Sequence, residues 1–230
     1  MSRGPNIVAE SDPAALLRAV RAALEAEVGA GERVCLPTGR TPAPLYAEVA
    51  TDPAARALWG SWRFLQLDEY IDPPSGTESF ADTLARQLFD PLAIPDEHRG
   101  AITAPADPAE GPRLDRLHAD SGLATCLLGL GSNGHIAFNE PGDTTDGYHR
   151  VTLAPETVRA NFGTDLDRPV EALTIGIDQI LAARRVLLWV PQPDKQELLD
   201  RVLTDPVDPA LPATALLAHE RCTVFRLARS

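Results

Sequence analysis

The stretch 127-LLGLGSNGHIAFNEPG-142 decides the fold, because it places polar side chains directly after an apolar run. Residues 123–128, LATCLL, are apolar almost throughout, which is typical of a strand covered on both faces of a parallel sheet. The run stops at Gly129, Gly131 and Gly134, which allow positive φ and a close approach of the backbone to a ligand. Ligands of open α/β sheets bind outside the carboxyl ends of the strands, so a site is predicted here.

Polar side chains in and after this glycine loop are the first candidates for chemistry: Asn133, His135, Asn139 and Glu140. An imidazole, with an unperturbed pKa of about 6.5, can both give and take protons near neutrality. The alternative interpretation is a strand and a turn in which His135 and Glu140 only cap or pair locally.

The periodicity of apolar residues alternates between helix and strand along the chain. Helices are predicted over 13–28, 42–50, 79–88, 178–183 and 195–203, and strands over 33–37, 62–67, 123–130, 172–177, 186–190 and 222–227. Asp12 and Pro13 mark the start of the first helix. Strands separated by helices predict an α/β fold with a single doubly wound, mostly parallel sheet that has helices on both faces, Rossmann-like. The Pro-, Asp- and Ala-rich stretches 104–112 and 204–212 are predicted loops inside one domain that spans 1–230.

Composition and charge narrow the possible partners. The chain has 230 residues, 44% of them apolar and 23% charged, without an apolar run long enough for a membrane span or a signal peptide, so a cytoplasmic protein is predicted. A formal charge of −12 argues against nucleic acid and against an anionic membrane surface, since both need a basic footprint. A phosphate ester would therefore need local cations and backbone amides.

The cysteines are odd in number and each falls in an apolar run: Cys35, Cys126 and Cys222. They are predicted to be buried thiols rather than bridges or metal ligands. With no C-x-x-C or H-E-x-x-H pattern, no structural metal is expected.

The stretch 34-VCLPTGRTP-42 predicts a strand, a short polar loop and a helix opened by proline. Backbone N–H groups at a helix N-terminus, with the Thr38 and Thr41 hydroxyls and the charge of Arg40, would form an anion site around Gly39. The alternative is that Thr41 caps the helix with Pro42 at its first position, which does not exclude phosphate.

The stretch 64-FLQLDEY-70 is an apolar strand that ends in two carboxylates, Asp68 and Glu69. Desolvation of such a pair would perturb a pKa, as a general base requires. The alternative is a solvated strand end in which Asp68 caps a turn. Lys195, the only lysine in the chain, opens a helix after a buried strand and is a second cation at the ligand edge, unless it serves only at the surface.

The segment 129-GLGSNGHIAFNEPG-142 resembles the signature of glucosamine-6-phosphate deaminases, in the wider family shared with 6-phosphogluconolactonases. The loop LPTGRTPAPLY is similar to their phosphate loop, and LDEY and GTESF are similar to two further segments. The resemblance implies that Asp68 moves a proton between adjacent carbons, that His135 opens the sugar ring, and that Glu140 and Asn133 orient His135. It also implies substrate contacts from these residues: Thr38, Gly39, Arg40, Thr41, Glu69, Gly131, Gly134, Arg159 and Lys195.

Three departures from the family pattern matter. Asn133 stands where the deaminases usually have aspartate, and Arg40 stands where they usually have a second glycine. The segment 152–163 resembles the family's lid, in which an arginine reaches the phosphate. The position that matches this arginine is Gly163 here, and Arg159 is the nearest substitute. The longer C-terminal region of the hexameric, allosteric deaminases is missing, so a monomer or small homo-oligomer is expected.

The predicted reaction converts glucosamine 6-phosphate, or an epimer such as galactosamine 6-phosphate, to the ketose phosphate and ammonia. It needs ring opening, a proton transfer from C2 to C1 and hydrolysis of an imine, and therefore no redox cofactor or metal. Asn133 would then indicate a different C4 epimer, a lowered activity, or a protein that has lost catalysis. Two alternatives stay open: a 6-phosphogluconolactonase, against which Glu140 and the NEPG run argue, and a non-catalytic sugar-phosphate sensor, which Asn133 favours.

Overall fold

The computed structural model describes residues 4–228 and contains two β-sheets. The strands are β1 (Asn6–Glu10), β2 (Arg33–Leu36), β3 (Arg63–Gln66), β4 (Asp68–Tyr70), β5 (Arg99–Gly100), β6 (Thr125–Leu128), β7 (His149–Thr152), β8 (Glu171–Thr174), β9 (Arg185–Val190) and β10 (Cys222–Leu227). The larger sheet has seven strands in the order β1-β10-β9-β6-β2-β3-β5, and all its neighbouring strands run parallel.

Helices connect most of these strands. They are α1 (Pro13–Glu27), α2 (Ala43–Thr51), α3 (Pro53–Gly60), α4 (Phe80–Leu84), α5 (Gly111–Ser121), α6 (Pro155–Phe162), α7 (Ile177–Leu181) and α8 (Gln196–Thr204). The predicted start of α1 is confirmed, because the Asp12 carboxylate accepts hydrogen bonds from the N–H groups of Ala14 and Ala15, each at 3.1 Å, with Pro13 in the first position. None of the helices among residues 4–228 is both long and apolar enough to cross a membrane.

Both faces of the larger sheet are covered. On one face α1, α2 and α3 pack through apolar residues such as Leu16, Val49 and Trp59, and Leu127 of β6 points into this layer. On the other face α5, α7 and α8 pack against the sheet, and the two neighbours of Leu127 point that way. Successive side chains of a strand alternate between faces, so a strand buried on both sides has the continuous apolar sequence seen in β6. The predicted doubly wound, mostly parallel sheet is confirmed.

The order of strands in the larger sheet positions the site. From β2 the chain moves outward through β3 to β5, returns to β6 on the other side of β2, and continues outward through β9 to β10. The connections that follow β2 and β6 therefore leave the sheet in opposite directions, which opens a crevice at their carboxyl ends.

The smaller sheet is antiparallel, in the order β4-β8-β7, and the sequence did not indicate it. The strand predicted at 172–177 belongs here, at Glu171–Thr174, rather than in the parallel sheet. The chain leaves the larger sheet at Leu67 and pairs β4 with β8, so Asp68 lies opposite Thr174. An apolar run predicts a buried strand but does not identify the strand it pairs with.

Some elements lie outside the predicted ones. The loop expected at 104–112 ends where α5 begins at Gly111, and β1, α3, β7 and α6 were not predicted. The predicted burial of the cysteine thiols is confirmed, since Cys35, Cys126 and Cys222 are all buried and free.

Candidate active site

A cavity of about 690 Å³ opens at the carboxyl ends of β2, β3, β6 and β9. Most of the residues that the sequence predicts for the site line it: Thr38, Gly39, Arg40, Thr41, Asp68, Gly131, His135 and Lys195. The cavity thus joins loops from both sides of the crevice, which are far apart in the sequence.

One end of the cavity is the loop between β2 and α2. The first residue of α2 is Ala43 and Pro42 occupies the N-cap position without a side-chain cap, so the interpretation of Thr41 as the cap is wrong. Instead, the Thr41 hydroxyl accepts a hydrogen bond of 2.7 Å from Nε2 of Gln192, which follows β9. This bond joins two loops that line the same cavity.

Two cations, Lys195 and Arg40, line this end of the cavity although the chain carries −12 overall, and the carboxylate of Asp194 lines the cavity beside Lys195. Lys195 lies on a short 3-10 turn, Pro193–Lys195, directly before α8, and its ammonium donates to the backbone carbonyl of Leu130. Burial lowers the pKa of Lys195. Arg40 lines the cavity from the opposite loop and is exposed. Two cations with hydroxyls and a helix N-terminus suit a phosphate group.

At the other end, Asp68 lies where the chain passes from the larger to the smaller sheet. Burial, together with the charge of Glu69, raises the pKa of Asp68 to about 8. A carboxyl group with this pKa is suited to proton transfer near neutral pH.

Glu69 does not face the cavity, contrary to its predicted role in substrate binding. Its carboxylate is buried and accepts hydrogen bonds from the backbone N–H groups of Tyr70, at 2.9 Å, and of Ala81, at 2.8 Å. Asp68 and Glu69 are consecutive in β4, so their side chains point to opposite faces of the strand. Glu69 instead attaches the start of α4 to β4.

His135 lines the cavity and is the centre of a hydrogen-bonded network. Nδ1 of its ring is 2.8 Å from Oδ1 of Asn133, and Nδ2 of Asn133 donates to Oε2 of Glu140 at 2.7 Å. The direct distance between His135 Nδ1 and Glu140 Oε2 is 3.7 Å. The predicted orientation of His135 by Glu140 therefore passes through the amide of Asn133.

The hydrogen bonds of Asn133 determine which ring nitrogen of His135 carries a proton. Burial alone would raise the pKa of Glu140, but its contacts with His135 and Thr157 outweigh burial and hold that pKa below its usual value. An ionised carboxylate only accepts, so the Asn133 amide must turn its NH₂ to Glu140 and its oxygen to His135. Nδ1 is then the donor, and Nε2 is left as the proton acceptor.

Gly131 allows the imidazole to lie where it does. A Cβ atom on this residue would be 2.4 Å from Nε2, Cδ2 and Cε1 of His135, so the ring packs directly on the Gly131 backbone. Gly134, predicted to contact substrate, does not line the cavity: it has φ +88°, and its carbonyl accepts from the Ala213 N–H at 3.0 Å. Its role is to turn the chain between Asn133 and His135.

The predicted contribution of Arg159 to phosphate binding is not seen. Its guanidinium is exposed and pairs with Asp165, with 2.9 Å between Nε and Oδ1. Gly163, which occupies the place of the family's arginine, ends α6 in the left-handed conformation with φ +73°. No cation reaches the cavity from α6 in the described part of the chain.

Comparison with known proteins places this geometry in a family. The family model for glucosamine-6-phosphate isomerases/6-phosphogluconolactonase matches residues 8–225. The chain belongs to this family. Glucosamine-6-phosphate deaminase 2 of Giardia intestinalis is 35% identical, over 95% of this chain and 87% of that protein.

Two solved structures have folds similar to that of this chain. A monomeric glucosamine-6-phosphate deaminase has a TM-score of 0.87 at 27% identity, over 96% of this chain and 97% of its own. The 6-phosphogluconolactonase from Leishmania guyanensis has a TM-score of 0.74 at 20% identity, over 98% of this chain and 97% of its own. This similarity shows a common fold alone.

Further polar residues of the site escaped the sequence reasoning: Ser132, Gln192 and Asn161 line the cavity, and Thr157 contacts His135. Ser132 and Gln192 stand beside residues that were predicted, so proximity to Asn133 and Lys195 could have identified them. Thr157 and Asn161 belong to α6, and only the packing of this helix over the cavity brings them to the site.

Proposed function

We propose that the protein is a deaminase of 2-amino-aldose 6-phosphates, which converts glucosamine 6-phosphate or its C4 epimer to the ketose 6-phosphate and ammonia. The observation that carries the proposal is that Asp68 and His135 face one cavity whose other end carries cations and a helix N-terminus. The cavity thus offers a proton-transfer pair and an anion site within the reach of one sugar phosphate.

The phosphate would bind at residues 38–41, between Lys195 and Arg40. Lys195 gives up its contact with the Leu130 carbonyl and donates to a phosphate oxygen, a charge-assisted bond that offsets the cost of burying its charge. Anchoring the phosphate places C1 and C2 of the sugar toward the other end of the cavity.

His135 would open the sugar ring. Its Nε2 takes the proton of the anomeric O1 hydroxyl and returns a proton to the ring oxygen O5 as the C1–O5 bond breaks. This assignment uses the nitrogen that the Asn133 amide leaves free. The positive charge that develops on the His135 imidazole as it takes this proton is stabilised by Glu140 through Asn133.

Asp68 would carry the proton between the carbons. The carboxylate removes the proton from C2 and, once O1 has taken up a proton, an enolamine with a C1=C2 double bond results. Asp68 then returns the proton to C1, which leaves an iminium at C2. Water adds to C2 and ammonia leaves as the ketone forms, so the reaction consumes one water.

Asn133 allows this chemistry although it is neutral. It orients the imidazole as aspartate would, but it brings no charge of its own, so the nearest full negative charge is Glu140, 3.7 Å from Nδ1. A rate lower than that of relatives with aspartate is the expected consequence, by about two to three orders of magnitude at most.

The alternative function is that of a 6-phosphogluconolactonase, which the matching family model also includes. In that reaction His135 would activate a water molecule against the lactone carbonyl, and Asp68 would have no proton to shuttle. An acid with a pKa of about 8 that lines the same cavity as the imidazole therefore supports the deaminase.

The test is ammonia release from glucosamine 6-phosphate and galactosamine 6-phosphate by the purified protein, beside an assay of 6-phosphogluconolactone hydrolysis. Asp68→Asn should lower ammonia release about 10³-fold, as expected for the loss of a general base. Asp72→Asn is the control, because that carboxylate is 72% exposed and its one ion pair within the described residues is with the surface residue Arg168.

Three results are distinguishable. Ammonia release that is lost in Asp68→Asn and kept in Asp72→Asn supports the deaminase. Lactone hydrolysis without ammonia, unaffected by Asp68→Asn, would establish the alternative. Tight binding of the sugar phosphates without any turnover would establish a sensor and contradict both enzymes.

A further inference from the structure

Thr157 is a buried hydroxyl that the reaction outlined above does not use. It is fully buried in α6, the helix that also contributes Ala160 and Asn161 to the cavity wall. Its Oγ1 is 3.1 Å from Nδ1 of His135, the same nitrogen that contacts Asn133. Thr157 is also close enough to Glu140 to help hold the pKa of that carboxyl down.

We propose that Thr157 is a positioning residue for the His135 imidazole, through a second hydrogen bond at Nδ1 that forms a bridge from α6 to the ring and depends on the packing of α6. The inference rests on the deaminase proposal for its effect on the rate, whereas the bridge itself is a property of the protein without substrate.

The direction of the hydrogen bonds follows from the groups present. A threonine hydroxyl has one proton to donate and can also accept. Because the Asn133 amide already requires Nδ1 to be protonated, Oγ1 accepts from Nδ1–H. The Nδ1–H group is thus shared between Asn133 and Thr157.

The two bridges differ in what holds them. Asn133 is two residues from His135 in one loop, and its Oδ1 also accepts from the His135 backbone N–H at 3.2 Å, so this contact is local. Thr157 is 22 residues away in the sequence and reaches the ring only because α6 packs over the cavity. A shift of α6 would leave the Asn133 bond in place and break the Thr157 bond.

This arrangement connects the cavity wall to the proton-transfer group. Asn161, one turn after Thr157, lines the cavity and donates to the Tyr70 hydroxyl at 3.0 Å. A substrate that contacts this wall would hold α6 in the position in which Thr157 reaches the ring. The imidazole is then oriented by both bridges when a substrate fills the cavity.

The test uses Thr157→Val, which keeps the shape and removes the hydroxyl, and Thr157→Ser, which keeps the hydroxyl. We expect Thr157→Val to lower kcat about tenfold, the size of one lost hydrogen bond to a group that becomes charged, with KM little changed. Thr157→Ser should recover most of that loss. The control is Thr125→Val, because Thr125 is equally buried and its Oγ1 has no partner among the described residues.

A second readout needs neither substrate nor turnover. The ¹⁵N chemical shifts of the His135 ring report the proton on Nδ1 and the proton-free Nε2. In all three proteins these shifts should indicate the Nδ1–H form, because Asn133 is unchanged. In Thr157→Val the Nδ1 resonance should move, because this N–H group loses one of its two acceptors, and in Thr157→Ser it should stay in place. If Thr157→Val does not fold, Thr157→Ala serves as the variant without a hydroxyl.

The outcomes separate this proposal from the function. Equal losses of kcat in the Val and Ser variants, with ring shifts unchanged, would mean that Thr157 only fills space and would overturn the proposal. A protein that releases no ammonia but shows the predicted ring shifts would contradict the deaminase and leave the bridge established. If Thr157→Val changes neither ammonia release nor the ring shifts, the proposed role of Thr157 is overturned and the deaminase proposal still stands.

Discussion

The two ends of the cavity hold their polar groups in different ways. At the end proposed to bind phosphate, Arg40 is exposed, and the Lys195 ammonium donates to a backbone carbonyl and to no other group of residues 4–228, so both cations can turn to a ligand. At the end proposed for proton transfer, His135 and Glu140 are joined through Asn133 in a part-buried network. Binding a phosphate tolerates adjustable charges, whereas proton transfer requires one tautomer in one orientation. Substitutions at the two ends should therefore alter different kinetic constants.

The largest effect is expected from His135→Gln. The variant keeps a polar side chain but cannot accept and return a proton at this place, so kcat should fall by about 10² to 10⁴ while KM changes little. Steady-state kinetics with the preferred amino-sugar phosphate measures both constants. His219→Gln is the control, since His219 lies outside the cavity and its Nε2 contacts the Ala183 carbonyl. A rise in KM with kcat retained would assign His135 to binding.

Gly131→Ala tests whether the position of the ring matters as much as its presence. The added Cβ would lie 2.4 Å from three ring atoms of His135, which must move although Asn133 holds them. A displacement of about 1 Å at a reacting group costs on the order of 10²-fold in rate. Gly129→Ala is the matched control, because a Cβ there meets no atom within 4 Å. Equal activity of the two variants would show that the ring does not need this position.

Lys195→Met should act at the other end. Loss of a charged hydrogen bond to phosphate should raise KM about 10- to 100-fold and alter kcat much less. Arg40→Met should have a smaller effect, because the Arg40 side chain is exposed and solvent screens its charge. Both are measured by substrate titration, with inorganic phosphate as a competing ligand. A drop in kcat at unchanged KM would contradict the division of the cavity into two ends.

The remaining prediction concerns the free energy of unfolding, which depends on pH. The pKa of Asp68 rises from 3.8 to about 8 on folding, so between these values the folded state holds a proton that the unfolded state releases. Stability should therefore fall as pH rises through this window, by at most about 1.4 kcal/mol per pH unit, and change no further above pH 8. Urea unfolding of the unmodified protein and Asp68→Asn from pH 5 to pH 9 measures the difference. Parallel pH curves would mean that Asp68 has an ordinary pKa.

The errors in the sequence predictions have a common physical origin. Glu69 was assigned to the site with Asp68, although the alternation of side chains along a strand allows only one of two neighbours to face a cavity. Arg159 was assigned by its closeness to Gly163, but its direction follows from the orientation of α6 and from its ion pair with Asp165. In both cases the residue type was suitable and the direction of the side chain was not available from the sequence.

The larger sheet, the edge at which its cavity lies and most of the predicted residues that line this cavity could be inferred from the sequence alone. Apolar runs ended by glycine, proline and charged residues are local features, and parallel strands bring their carboxyl ends together, so Thr38, Asp68, His135 and Lys195 could be placed at one edge. The separate antiparallel sheet and the contact of Thr157 became evident only in the tertiary structure. They depend on which strand pairs with which and on how α6 packs, and such contacts between distant segments leave no periodic signal in the sequence. The Asn133–Glu140 bond is local, but it depends on the conformation of one loop, which the sequence pattern does not specify.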